Sequence, residues 1–242
     1  MPARASGLRR VAAGWGAGEL SPARFAVFAV LLAAVLVALG HLLVLQARPQ
    51  GPTPYLDLRT EGDPIYYARM AAGGPEAPPP YRYRVLAPWL ASLLPLPPLT
   101  GLAVVTYLSL FASYLATLVC CRRLGIGPLA SAAGLFAAYS TTYHLYNYYD
   151  PFLTDGLGLL ILALMTWALL ARSLPTFFAA GLAGMLVRES VLFMVPAWAA
   201  TRRWGQAGLT LAGALAVYGA TRLLGGGRGP AGLVRVCCRC GR

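Results

Sequence analysis

Residues 25–45 read FAVFAVLLAAVLVALGHLLVL, twenty-one positions without an acidic or basic residue other than His41. A hydrocarbon core of about 30 Å is crossed by about 20 apolar residues of helix. The stretch therefore predicts a transmembrane helix. It is too long for the apolar region of a cleavable signal peptide, about 7 to 15 residues. With Arg4, Arg9, Arg10 and Arg24 before it, the reading is an uncleaved signal anchor whose N-terminus stays in the cytoplasm.

Working outward, comparable runs lie near residues 100–119, 128–145, 151–171, 176–200 and 207–224, which makes about six spans in all. Composition agrees: 58% of the 242 residues are hydrophobic and 12% charged, against about 25% charged in a soluble domain. The expected fold is all-α, a polytopic transmembrane helical bundle with one short helical hairpin and one large outer loop containing interfacial helices. Residues 1–24 form a cytoplasmic segment, 25–224 the membrane domain with its outer loop at 48–99, and 225–242 a disordered Gly/Arg/Cys tail. That tail has no periodicity and reads as a truncation or a shifted frame. The implied compartment is the cell inner (plasma) membrane.

The net charge of +12 comes from arginines, with no lysine in the chain. They flank apolar segments, where they orient helices and meet lipid phosphates, so membrane lipid is the expected partner and nucleic acid is not. Cys120, Cys121, Cys237, Cys238 and Cys240 lack the paired spacing of a zinc site and make no disulfide framework.

Residues 176–200 are interrupted by Arg188-Glu189-Ser190. As one helix they would hold two charges at the bilayer centre, at about 2.5 to 3.5 kcal/mol for an Arg or Asp there. As two half-length helices they would lift Arg188 and Glu189 to the outer surface and return to Arg202-Arg203. The hairpin is the favoured reading, although the single span would put the Arg-rich tail inside. It gathers Asp57, Glu61, Asp63, Glu76, Asp150, Asp155 and Glu189 outside, leaving Glu19 alone in the cytoplasm. Acidic residues contribute little to topology, so this collection marks a candidate site.

Each member has a plain structural role to weigh. Asp63-Pro64 and Asp150-Pro151 have the form of an N-cap followed by Pro at the first helical position. Asp155, placed inside the helix after Pro151, is too deep to cap it and reads as functional. Arg188 and Glu189 each need a partner on another helix, and Arg188 with Asp155 is a candidate structural ion pair. Arg82 and Arg84, in Tyr81-Arg82-Tyr83-Arg84, are either part of an interfacial belt or a pair of guanidinium forks for a phosphate. The tyrosines at 139, 143, 146, 148 and 149 are either belt residues or faces on which a sugar stacks.

In their order, Glu61-Gly62-Asp63-Pro64-Ile65-Tyr66-Tyr67-Ala68, Tyr81-Arg82-Tyr83-Arg84-Val85-Leu86-Ala87-Pro88-Trp89-Leu90, Asn147-Tyr148-Tyr149-Asp150-Pro151 with Asp155, and Arg188-Glu189-Ser190 resemble bacterial GT-C-type glycosyltransferases. These are multi-pass enzymes that transfer sugar from a polyprenyl-phosphate donor outside the membrane. The resemblance covers roughly residues 25–204, and GT-C enzymes usually have more spans. It implies a catalytic base or metal ligand in the first outer loop, best matched by Asp63 with Asp57 as substitute, and a divalent cation is the cofactor it allows. It further implies Arg82, Arg84, Asp150, Asp155, Arg188 and Glu189 as substrate-binding candidates and a polyprenyl-phosphate-linked sugar as partner. A multi-pass transporter, or an inactive truncated membrane protein, is the alternative.

Overall fold

The computed structural model describes residues 20–46, 63–74, 77–79, 81–141, 147–148, 151–201 and 203–225, which form helices joined by turns, with no strand among them. Among the described residues nine α-helices follow one another: α1 (Pro22–Gln46), α2 (Asp63–Ala71), α3 (Leu86–Ser92), α4 (Pro98–Arg123), α5 (Pro128–Tyr139), α6 (Asp155–Ala171), α7 (Leu174–Met185), α8 (Met194–Ala199) and α9 (Trp204–Gly225). Short 3-10 turns sit at Tyr81–Tyr83 and Glu189–Phe193.

Two helices, α1 and α4, are long and apolar enough to cross a membrane. On α1 the buried residues Phe25, Ala29, Ala33 and Leu36 form one stripe, at the spacing of a single helical face. The rest of that helix is apolar too, yet Val27, Leu31 and Val35 are more than half exposed. The same holds for Leu108 of α4, Phe136 of α5 and Leu209 of α9.

Helix α4 is the centre of the bundle and packs most extensively on α6. The two run in the same direction: the Thr106 hydroxyl donates to the Leu153 carbonyl at one end, and the Arg123 guanidinium lies over the Trp167 ring at the other. Close approach is possible because Gly156 has no side chain; a Cβ there would meet the Thr106 carbonyl oxygen at 3.2 Å. Helix α1 runs antiparallel to α4, with Arg122 donating to the Leu20 carbonyl and His41 bonded to the Tyr107 hydroxyl at 3.1 Å. The bundle therefore has two distinct ends.

The segment from α7 to α8 doubles back. Helix α7 stops at Met185, Arg188 is extended, and the chain restarts at Glu189. Phe177 and Trp198 would lie about 31 Å apart on one continuous helix, but their ring centroids are 4.4 Å apart. At the tip, a Cβ on Gly184 would come within 2.7 Å of Val191, so the turn closes only around glycine. Helix α9 then runs beside the hairpin, from Trp204 at the arginine-rich end to Arg222 beside Tyr83 at the other.

Two local expectations are corrected. Asp155 is the first residue of α6, not a residue buried within it, because residues 151–154 form a turn anchored by the Thr106–Leu153 bond. The Asp150-Pro151 start is accordingly not where the helix begins; Asp150 itself lies outside the described residues. Tyr139 and Tyr148 are neither a belt nor a sugar platform: both are buried against Tyr114, Leu118 and Leu135, and the Tyr148 hydroxyl is bonded to that of Tyr114. Residues 143, 146 and 149 fall outside the described residues.

Candidate functional site

Three separate segments converge at the end of the bundle where α6 begins: the loop helix α2, the Tyr81–Tyr83 turn with Arg84, and the hairpin tip. Each is placed by ordinary local chemistry. Helix α2 starts at Asp63-Pro64, where the proline ring pre-sets φ and the carboxylate faces the helix dipole. Helix α3 is tied to the hairpin by the Leu86 N–H, which donates to the Leu186 carbonyl at 3.1 Å, and Arg84 lies within electrostatic reach of Glu189 at the hairpin tip.

The Arg188 guanidinium donates to the Asp155 carboxylate, the one carboxylate ion pair found among the described residues. Asp155 is the more buried partner, with 15% of its side chain exposed against 37% for Arg188. Thus the structural pairing considered from sequence is made, and it closes the hairpin tip onto the start of α6.

Arg84 lies beside this pair and donates from Nη1 to the Tyr67 hydroxyl at 3.4 Å. Burial acts to lower its pKa, but the Tyr67 hydrogen bond and the negative charges of Glu189 and Asp155 outweigh it and hold the guanidinium above its ordinary value. The Arg84 Nε is buried without a hydrogen-bond partner.

Asp63 reaches the cluster through tyrosines. Its carboxylate, acting on the Tyr81 hydroxyl, pushes the Tyr81 pKa up together with burial. Burial likewise raises the pKa of Tyr67, opposed by hydrogen bonds from Arg84 and Thr154 and reinforced by the Asp63 charge. The Tyr81 ring is fixed between Tyr66, stacked at 5.2 Å, and Tyr67, edge-on at 5.9 Å.

Asp63, Arg84, Asp155, Arg188 and Glu189 are thus brought to one neighbourhood. Arg82 donates from Nη2 to the Tyr83 hydroxyl at 2.7 Å, on the side where Arg222 of α9 covers the Tyr83 and Tyr218 rings. Asp57 and Asp150 lie outside the described residues. Tyr67, Tyr81, Thr154 and Arg222 were not singled out from sequence; only the four-residue spacing of Tyr218 and Arg222 on one helix face offered a signal.

A divalent cation would need several oxygen ligands held together. Among the described residues no three His, Cys, Asp or Glu side chains are grouped to hold a metal, and the three carboxylates present are interleaved with guanidiniums. The described residues do not fit a metal site, and the chemistry is developed without one.

The observed arrangement can bind an anion through Arg84 and accept a proton at a carboxylate a short distance away. Compared with known proteins, the chain matches no family model, no curated protein and no solved structure.

Proposed function

We propose that the chain is a multi-pass protein of the cell inner membrane, with its N-terminus in the cytoplasm. On this reading the acid-and-arginine end faces outward and carries out GT-C-type transfer of a sugar from a polyprenyl-phosphate donor to an acceptor. Membrane residence is supported by the apolar side chains exposed around α1, α4, α5 and α9. Six membrane segments, with the hairpin counted as one, follow if α5, α6 and the two halves of the hairpin are enclosed by longer neighbours, since short helices cross only when shielded from lipid. Clustered arginines at the other end fit the cytoplasmic side.

The observation that carries the chemistry is Arg84, half-buried, with an unpartnered Nε, beside Asp155 and Glu189 and linked by Tyr67 to the neighbourhood of Asp63. In the reaction, the acceptor hydroxyl oxygen bonds to the anomeric carbon as the bond from that carbon to the lipid phosphate oxygen breaks. Asp63 takes the hydroxyl proton. The phosphate leaves with the electron pair, and the positive charge of the Arg84 guanidinium stabilises it. Arg188 and Asp155, held by each other, keep the hairpin tip beside the reacting groups.

Asp63→Asn tests the base. Asn starts a helix about as well as Asp, so folding is retained, and transfer from a labelled polyprenyl-phosphate sugar is expected to fall by about 10² to 10⁴. Wild-type transfer rates in this variant would remove Asp63 from the role. A wild-type chain that moves substrate across vesicles and transfers no sugar would favour a transporter instead.

A further inference from the structure

The arginine-rich end holds a second constellation, independent of the carboxylates. A cavity of about 330 Å³ opens between the end of α6 and the turn from α8 to α9, lined by Leu169, Arg172, Trp198, Thr201 and Arg203. Two of the five are cations and none is acidic. The described carboxylates, Asp63, Asp155 and Glu189, are all at the opposite end.

Arg172 caps α6 in the left-handed conformation (φ 55°, ψ 33°) and is the non-glycine residue with positive φ found among the described residues. That position ordinarily takes Gly or Asn, and a residue held against local preference is a pointer to function. Arg203 donates from Nη1 to the Arg172 carbonyl at 3.5 Å, and its guanidinium lies 5.7 Å from the centre of the Trp198 ring. Trp198 is itself buried, with its indole N–H given to the Gln206 side chain, so its ring is a fixed apolar wall. The Thr201 hydroxyl donates to the Trp198 carbonyl at 2.7 Å, which leaves its oxygen able to accept.

We propose that this cavity binds a phosphate group, with Arg172 and Arg203 as its two cations and Trp198 packing against what the phosphate carries. Forked guanidiniums match phosphate geometry, and basic pockets between helices on the cytoplasmic side hold anionic lipid headgroups. An anionic phospholipid and a free phosphate share this chemistry, and the experiment separates them.

The full chain is purified in detergent, and retention of phosphatidylglycerol over phosphatidylcholine is read by native mass spectrometry. The comparison is between wild type, R172N/R203Q and the charge-matched R122Q/R123Q, whose lost charges are at the same end but outside the cavity. Asn keeps the left-handed cap. Wild type is expected to prefer the anionic lipid, and R172N/R203Q to lose about 30-fold in that preference. R122Q/R123Q should lose less than about threefold, all proteins melting alike in phosphatidylcholine. Should the double variant not fold, R203Q alone, which leaves the Arg172 backbone untouched, should lose about fivefold.

In the second arm, excess inorganic phosphate that displaces the lipid assigns the site to phosphate in general, and lipid retained against it assigns the site to the headgroup. Equal lipid and phosphate binding by wild type and the cavity variants would overturn the proposal. So would an equal loss in R122Q/R123Q, which would mean diffuse surface charge.

Discussion

At one end of the bundle, Asp155 is paired with Arg188, and Asp63 and Glu189 lie within electrostatic reach of tyrosines and Arg84. At the other, Arg122, Arg123 and Arg203 are set against the rings of Phe25, Trp167 and Trp198 and against backbone carbonyls. The two ends use the same cation for different purposes. Arginines on rings and carbonyls keep their charge free to act on a surface, which suits orientation and lipid contact. Arginines interleaved with carboxylates are fixed in place, which suits positioning of a substrate. The difference suggests that chemistry belongs to the end where opposite charges are held in fixed relation, beyond what insertion needs.

The hairpin is what delivers Arg188 to that end, so the largest expected effect on the comparison comes from forcing its turn open. Gly184→Ala places a methyl against the buried, β-branched Val191, whose nearest atom is 2.7 Å from the new Cβ. The expected loss is about 1–3 kcal/mol, with the Arg188–Asp155 contact weakened, measured by unfolding in detergent. Gly205→Ala meets nothing within 4 Å and should be neutral or gain up to about 1 kcal/mol. If both changes behave alike, the hairpin tip is not tightly closed.

A comparable effect should come from the pair itself. A double-mutant cycle with Arg188→Gln and Asp155→Asn is expected to give a coupling of about 2 kcal/mol. That lies between the worth of an exposed pair and the cost of breaking a buried one. Zero coupling would leave the hairpin tip held by packing alone.

Much of this arrangement was legible in the sequence because charge is so scarce. Arg188-Glu189-Ser190 within an apolar run had to leave the lipid or find partners, and Arg188 finds one in Asp155. Asp63-Pro64 states a helix start directly. The start of α6 was not legible, since Asp150-Pro151 is an equally good local signal. A tertiary hydrogen bond from Thr106 to Leu153 decides against it. Burial of Tyr139 and Tyr148 was hidden for a similar reason: a tyrosine at an interface and one among other tyrosines look alike until the neighbouring helices are placed. Arg82 and Arg84 also read as equivalent forks, and only the packing of α9 against Tyr83 separates them.

The smallest expected effect concerns pH. Tyr67, Tyr81 and Arg84 are all pushed above their ordinary values, so the folded state holds these protons more tightly than the unfolded one. Their contribution is complete below the unfolded values and is lost as pH rises through the folded ones. Stability should therefore be insensitive to these groups from pH 6 to 9 and decline above about pH 10. Tyr67→Phe should shallow that decline; a melting temperature that rises between about pH 9 and 11 would contradict the sign.

On the proposed topology the two ends of the bundle lie on opposite sides of a membrane, which cysteine labelling reads out. In a background without Cys120, Cys121, Cys237, Cys238 and Cys240, Glu189→Cys and Arg203→Cys are treated in intact cells with a membrane-impermeant maleimide. The account predicts labelling at position 189 from outside and at position 203 only after permeabilisation. Labelling of both positions from the same side would contradict it.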